Sequence, residues 1–85
     1  MKGVTFEEAA FEDISFWANN DLKTLRKIIQ LIENIRQTPF EGLGKPEALK
    51  YELKGYWSRR ITGEHRLVYK IIDDEIIIAA CRLHY

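Results

Sequence analysis

The sequence LKTLRKIIQLIENIRQTPFEGLGKP, residues 22–46, contains the change of pattern that decides the fold. Its first part repeats apolar residues every three or four positions, the period of one face of an α-helix. The apolar stripe comprises Leu22, Leu25, Ile28, Ile29, Ile32 and Ile35. Pro39 ends this pattern after Gln37, and the Gly- and Pro-rich segment 39–46 is typical of an exposed loop.

A shorter helix is predicted before this one. Thr5-Phe6-Glu7-Glu8 has the form of a capping box, in which the Thr5 hydroxyl accepts from the first helical turn and Glu8 reaches back. Apolar residues then recur to about Ala18 and give this helix one core face. Asn19-Asn20-Asp21 is predicted to end the first helix and to cap the second.

Beyond the loop the period becomes that of β-strands. Short β-prone runs occur at Leu53 and in segments 57–61, 66–71 and 76–83, separated at 54–55, 63 and 73–74. Two helices followed by an antiparallel meander predict an α+β fold, with both N-terminal helices packed on a small antiparallel sheet. At 85 residues, we expect one domain spanning 1–85.

Composition excludes several classes of protein. Hydrophobic residues make up 46% of the chain and charged residues 31%, which is typical of a globular domain. A single cysteine excludes an internal disulfide, and Cys81 in an apolar run is predicted to be a small buried residue. No signal peptide and no apolar run of ~18 residues is present, so we expect a cytoplasmic protein without a membrane partner.

The net charge is zero, but the charges are unevenly distributed. Residues 1–34 carry six acids and four bases, whereas residues 36–66 carry seven bases and four acids. Tyr51, Tyr56 and Trp57 are interleaved with those bases. Cations next to aromatic rings suit RNA, whose phosphates need positive charge and whose bases stack on rings. A solvated surface of mixed charge explains this feature equally well.

The C-terminus combines unusual side chains. Arg82, His84 and Tyr85 follow a predicted apolar strand, and His65 is the only other histidine. Chain ends usually fray, so an imidazole, a phenol and a guanidinium in four positions suggest chemistry at the end of a strand.

Several long runs resemble the YoeB toxins of the RelE/ParE superfamily. They are residues 38–42, 44–47, 53, 55–61, 64–69 and 79–85, and the resemblance covers nearly the whole chain. It implies a RelE-like fold and a ribosome-dependent mRNA endonuclease that is paired with a YefM-type antitoxin. The family's catalytic glutamate, arginine, histidine and terminal tyrosine fall on Glu47, Arg66, His84 and Tyr85.

The residue types fit this chemistry. Cleavage of RNA through its own 2′-hydroxyl needs a base, a cation for the phosphorane charge and an acid for the leaving oxygen. Glu47, Arg66 and His84 are the candidates for these three roles. No metal-ligand cluster is present, and we expect no cofactor. Considered singly, Glu47 fits a surface residue or helix cap, Arg66 a surface ion pair and His84 a terminal bystander.

Six basic residues are candidate contacts to RNA and the ribosome: Lys45, Lys50, Lys54, Arg59, Arg60 and Arg82. The expected partners are the ribosome, mRNA and the antitoxin, and a second copy of the chain is a further candidate. Two other functions stay open, namely gyrase inhibition on the same fold and plain RNA binding. Both would leave Glu47 and His84 unused.

The last hairpin gives a test of register. A two-residue loop at Asp73-Asp74 sets Arg66 opposite Cys81, whereas a three-residue loop ending at Glu75 sets it opposite Arg82. Only the longer loop, or a bulge, brings Arg66 to the face of Arg82 and His84. We favour the longer loop, in which Cys81 shares the other face with Leu67, Tyr69, Ile71, Ile77 and Ala79.

Overall fold

The structure is a computed structural model that describes residues 3–83. These residues form β1 (Gly3–Phe6), α1 (Glu8–Asn20), α2 (Leu22–Gln37), β2 (Glu47–Ala48), a 3-10 turn (Tyr51–Leu53), β3 (Trp57–Arg60), β4 (Arg66–Ile72) and β5 (Glu75–Ala80). Within this part of the chain the five strands form one sheet in the order β1-β5-β4-β3-β2. Both helices pack on it, which confirms the α+β class.

Helix α2 supplies much of the core. Asp21 caps it as predicted, because its carboxylate accepts from the Thr24 backbone N–H at 3.1 Å and from the Thr24 hydroxyl at 2.7 Å. These hydrogen bonds lower the pKa of Asp21. The buried face comprises Thr24, Ile28, Leu31, Ile32 and Ile35.

The predicted apolar stripe on α2 includes two residues that are exposed and omits one that is buried. Leu22 and Ile29 are 55% and 52% exposed, whereas Leu31 is buried. Each residue turns the helix by about 100°, so Leu22 and Ile29 lie roughly a quarter turn or more away from Ile28. Helix α1 also continues through Asn20, two residues further than predicted, because both asparagine side chains donate to carbonyls four residues back.

The predicted capping box at Thr5 and the predicted purely antiparallel sheet are both wrong. Thr5 lies in β1, which pairs in parallel with β5 from Gly3 opposite Glu75 to Phe6 opposite Ile78. The Thr5 hydroxyl donates to Glu75 Oε2 at 3.2 Å, and α1 begins only at Glu8 without a side-chain cap. Val4 and Phe6 pack on the core, so burial of apolar side chains favours β1 as an edge strand over a helix cap at the same residues.

The predicted three-residue hairpin loop is also wrong. Ile72 pairs with Glu75, so the loop is Asp73-Asp74, and both residues have positive φ (48° and 64°) as a type I′ turn requires. A β-bulge then shifts the register, because Tyr69 pairs with Ile78 but Val68 pairs with Ala80. The Arg66 N–H accordingly donates to the Leu83 carbonyl at 3.1 Å.

The two-residue loop turns Ile76 and Ile78 towards the core, and the bulge then brings Cys81 to the same side. Ile76 and Ile78 are buried together with Cys81, whereas Ile77 and Ala79 are only partly buried. The predicted inward positions Ile77 and Ala79 were therefore off by one residue, as a two-residue loop requires. Leu53 is likewise not in a strand, because it closes the 3-10 turn.

Cys81 is buried, as predicted. Burial, together with a smaller effect of the nearby Asp13 carboxylate, raises the pKa of its thiol to about 12. Within residues 3–83, neither helix combines the length and apolar character needed to cross a bilayer.

Candidate active site on the open face of the sheet

The face of the sheet that points away from the helices carries two predicted catalytic residues. Directly paired residues point to the same face, and the pairs Glu47–Ser58, Ser58–Val68 and Val68–Ala80 form one row across four strands. The pair Arg60–Arg66 lies two residues further along and therefore shares that face. Leu67 and Tyr69 alternate with this set and belong to the core, while Ser58 and Val68 in the middle of the row are themselves buried and Glu47 and Arg60 are exposed.

Glu47 and Arg66 are two strands apart on this open face. From strand spacing and residue rise, their Cα atoms are about 12 Å apart. Glu47 is exposed and lies in β2, which excludes the helix-cap interpretation. The Arg66 guanidinium is turned towards the preceding loop, where its Nη1 donates to the Thr62 and His65 carbonyls at 2.8 and 3.0 Å.

A shallow cavity lies beside Glu47. It has a volume of about 330 Å³ and is lined by Glu47, Ala48, Leu49, Lys50, Tyr51 and Leu53. Tyr51 is 91% exposed, so its ring is open for stacking. Tyr56 instead contacts Lys70, and the ring of Trp57 packs on that of Phe40 with centroids 4.9 Å apart.

Arg59 does not belong to this surface, which corrects its prediction as an RNA contact. Its side chain is fully buried on the core side of β3. The guanidinium donates to five acceptors at 2.6 to 3.1 Å. These are the Tyr69 hydroxyl, Asn34 Oδ1 and the carbonyls of Thr38, Glu41 and Leu43. Arg59 therefore fastens the loop after α2 to the core and cannot reach a phosphate.

The other predicted RNA contacts are exposed: Lys45, Lys50, Lys54, Arg60 and Arg82. Arg60 shares the open face with Glu47 and Arg66. Arg82 stacks on Phe16 of α1, with its Cζ atom 3.6 Å from the ring centroid. Of these residues Arg60 lies on the open face, whereas the Arg82 guanidinium is turned towards α1.

His84 and Tyr85 lie outside the described residues, so their roles stay predictions. The last described residue, Leu83, lies next to Arg66, since the two are joined by a backbone hydrogen bond.

Sequence reasoning missed a second basic surface on α2. A groove of about 550 Å³ is lined by Lys23, Thr24, Arg26, Lys27, Ile29, Gln30 and Thr62. The spacing of Lys23, Arg26 and Lys27, which places them on one helical face, was the available signal. Thr62 also accepts from Arg66, so this groove adjoins the loop that Arg66 contacts. Among residues 3–83, no group of three or more His, Cys, Asp or Glu side chains is arranged to hold a metal ion.

Comparison with known proteins identifies the family. The model of the YoeB-like toxin of bacterial type II toxin–antitoxin systems matches residues 6–85. Toxin YoeB of Escherichia coli (strain K12) is 54% identical over 80 residues, which cover 94% of this chain and 95% of that protein. A YoeB/ParE toxin from Agrobacterium tumefaciens has a similar structure, with a TM-score of 0.96 and 45% identity over 100% of both chains.

YoeB from Staphylococcus aureus has been solved in two assemblies. In a heterotetrameric YoeB–YefM toxin–antitoxin complex it matches with a TM-score of 0.92 and 48% identity, covering 100% of this chain and 99% of that one. As a YoeB dimer it matches with the same score and identity, covering 99% and 98%. Sequence and structure thus agree over essentially the whole chain, and the protein belongs to the YoeB-like toxin family of bacterial type II toxin–antitoxin systems.

Proposed function

We propose that this toxin is a ribosome-dependent mRNA endonuclease. The observation that carries the proposal is the placement of Glu47 and Arg66 on one open face of the sheet, next to exposed basic residues, in a chain of this family. A carboxylate and a guanidinium on an uncovered surface suit a substrate that is itself large and anionic.

Each residue has one role in the proposed reaction. The Glu47 carboxylate takes the proton of the 2′-hydroxyl, and the freed oxygen attacks the adjacent phosphorus. Arg66 stabilises the extra negative charge of the phosphorane. The bond from phosphorus to the 5′-oxygen then breaks, and His84 donates a proton to that oxygen, leaving a 2′,3′-cyclic phosphate. Tyr85 stacks on a base or holds the phosphate, a smaller contribution.

The geometry of the isolated protein supports dependence on the ribosome. Glu47 is exposed, about 12 Å separates its Cα atom from that of Arg66, and the Arg66 guanidinium is held by loop carbonyls. The message must therefore be positioned from outside and must draw Arg66 away from the Thr62 carbonyl. Lys45, Lys50, Lys54, Arg60 and Arg82 are the proposed contacts to RNA and ribosome, with Tyr51 as a stacking surface.

We propose a YefM-type antitoxin as the silencing partner. The heterotetrameric complex of the Staphylococcus aureus relative supports this choice, and its dimer supports a second copy of the chain as a further partner. An antitoxin segment that folds on binding would lie on the basic open face and displace the C-terminal residues. A complex that leaves the open face uncovered would contradict this part of the proposal.

The test is cleavage of a message on translating ribosomes and of the same message free in solution. Glu47→Ala should reduce ribosome-dependent cleavage at least ~100-fold, because the base is lost. Glu52→Ala is the matched control, since it removes an exposed carboxylate from the neighbouring 3-10 turn. Equal cleavage of free and ribosome-bound message would refute the dependence on the ribosome. A Glu47→Ala variant that arrests growth through gyrase while cutting no RNA would favour the gyrase alternative.

A further inference from the structure

We propose that His65 is a positioning residue that holds Leu83, the residue directly before His84 and Tyr85. This inference rests on the proposed function, because those two residues matter only if they take part in cleavage. His65 is the histidine that the proposed mechanism does not use. Its contacts give it a different task, which is to hold the residue directly before the proposed general acid.

Both backbone groups of Leu83 are held by two consecutive residues. The Leu83 N–H donates to His65 Nδ1 at 2.8 Å. The Leu83 carbonyl accepts from the Arg66 N–H at 3.1 Å. These two bonds place Leu83 beside the proposed charge stabiliser, and the next residue along the chain is His84. His65 and Arg66 therefore hold the residue that directly precedes the proposed acid.

The conformation of Leu83 also needs outside support. Its φ of 64° is in the left-handed region, which is unfavourable for a residue with a branched side chain. Such a conformation persists only where surrounding contacts over-determine it. The bonds from His65 and Arg66 are those contacts, so loss of the His65 acceptor should release Leu83 to more favourable backbone angles.

Helix α1 braces the same segment. The His65 ring packs edge-on against Trp17, with centroids 4.8 Å apart and an interplanar angle of 86°. Trp17 Nε1 donates to the Cys81 carbonyl at 2.8 Å, and Asp13 Oδ2 accepts from the Cys81 N–H at 3.0 Å. Residues 81–83 are thus fixed at both ends by side chains from α1 and from the start of β4.

The contact to Leu83 depends on the protonation state of His65. Nδ1 accepts a hydrogen bond only when it carries no proton, so the ring is neutral with its proton on Nε2. An imidazolium has no acceptor to offer. The charged groups of the neighbouring elements are Asp13, which accepts from Cys81, Glu64 and Arg66 on either side of His65 in the chain, and Arg82, which stacks on Phe16.

Two substitutions distinguish the effect of the Nδ1 hydrogen-bond acceptor from the effect of ring packing. His65→Phe keeps an aromatic ring against Trp17 but removes the acceptor, whereas His65→Asn keeps an acceptor near the Nδ1 position but removes the ring. Amide hydrogen exchange of Leu83, corrected for intrinsic rates, measures the hydrogen bond directly. Single-turnover cleavage on ribosomes measures its consequence. Glu64→Gln is the control, because it alters a neighbouring exposed side chain outside the anchor.

We expect His65→Phe to reduce Leu83 protection and cleavage roughly tenfold each, and His65→Asn to keep both within about threefold of wild type. The opposite order, with Phe active and Asn impaired, would show that His65 acts only by packing on Trp17 and would overturn the inference. Unchanged Leu83 protection in His65→Phe would overturn it as well. So would lost protection in that variant with cleavage at the wild-type rate.

If the wild type fails to cut any message on ribosomes, the proposed function fails, but the exchange measurements still decide whether His65 holds Leu83.

Discussion

Replacing Arg59 by methionine should destabilise the protein by about 3 kcal/mol, although Arg59 is far from a typical core residue. Methionine follows the Arg59 side chain only as far as Nε, so the cost combines the lost hydrogen bonds with the space left by Cζ, Nη1 and Nη2. Three of the five acceptors keep another contact in the variant. The Tyr69 hydroxyl still donates to Pro39, Asn34 Oδ1 still accepts from the Leu43 N–H, and the Glu41 carbonyl still accepts from the Thr38 hydroxyl.

The other two acceptors determine the magnitude. The Thr38 and Leu43 carbonyls would lose the guanidinium. Because both bonds are only partly buried, each loss should lie near the lower end of the about 1–3 kcal/mol that a buried carbonyl without a donor costs. The expected sum is about 2–6 kcal/mol, and water that reaches the surface loop should keep it in the lower half. Urea unfolding followed by tryptophan fluorescence gives the free energy of unfolding and the m-value.

Arg60 is the matched control because it is the next residue and points to the open face. Arg60→Met should change the free energy of unfolding by no more than about 0.5 kcal/mol. An Arg59→Met variant that unfolds within 1 kcal/mol of the wild type at an unchanged m-value would refute the reasoning.

Three further predictions concern the core, the thiol and the C-terminus. Leu67→Ala should lower the free energy of unfolding by about 2–5 kcal/mol in the same urea assay, because Leu67 is fully buried; a smaller loss would mean that the site collapses around the alanine. Cys81 should not react with a thiol reagent at pH 8 until the protein unfolds, and prompt labelling of the native protein would contradict its burial. Because the pKa of the thiol is raised to about 12, its contribution to stability should be present below pH ~9 and lost as the pH rises from there towards 12. Deleting His84 and Tyr85 should cost no more than about 1 kcal/mol but reduce cleavage at least ~100-fold, and a folded truncation that still cuts at the wild-type rate would remove His84 from the mechanism.

The sequence was sufficient for the strongly periodic elements. Helix α2 follows from repeated apolar residues and from Asp21, because a long stripe and a cap both restrict the chain locally. Strand β1 was not predictable in the same way, since four residues that resemble a helix start become a strand only through pairing with β5. The hairpin register depended on a bulge, which one extra residue creates without a sequence signal of its own.

The candidate site shows the same division. Family resemblance selected Glu47 and Arg66 among many charged residues, and strand pairing places both on the open face. Arg59 and Arg60 are neighbours of the same type, and only the alternation within β3 separates them. Trp57 and Ile61 have the same parity as Arg59, which was the available sign that Arg59 faces the core. The prediction relied on the positive charge of Arg59 and neglected the side-chain alternation of β3.

The parallel pairing of β1 with β5 has a consequence for synthesis of the toxin. Strand β5 is the last strand of the described residues, yet it lies between β1 and β4 in the sheet. A nascent chain that lacks β5 leaves β1 without its neighbour and the core open, because the pairing of β1 with β5 joins residues that are far apart in the sequence. Folding of the sheet should therefore complete only after β5 has left the ribosome, so a shorter nascent chain would not yet carry an assembled toxin.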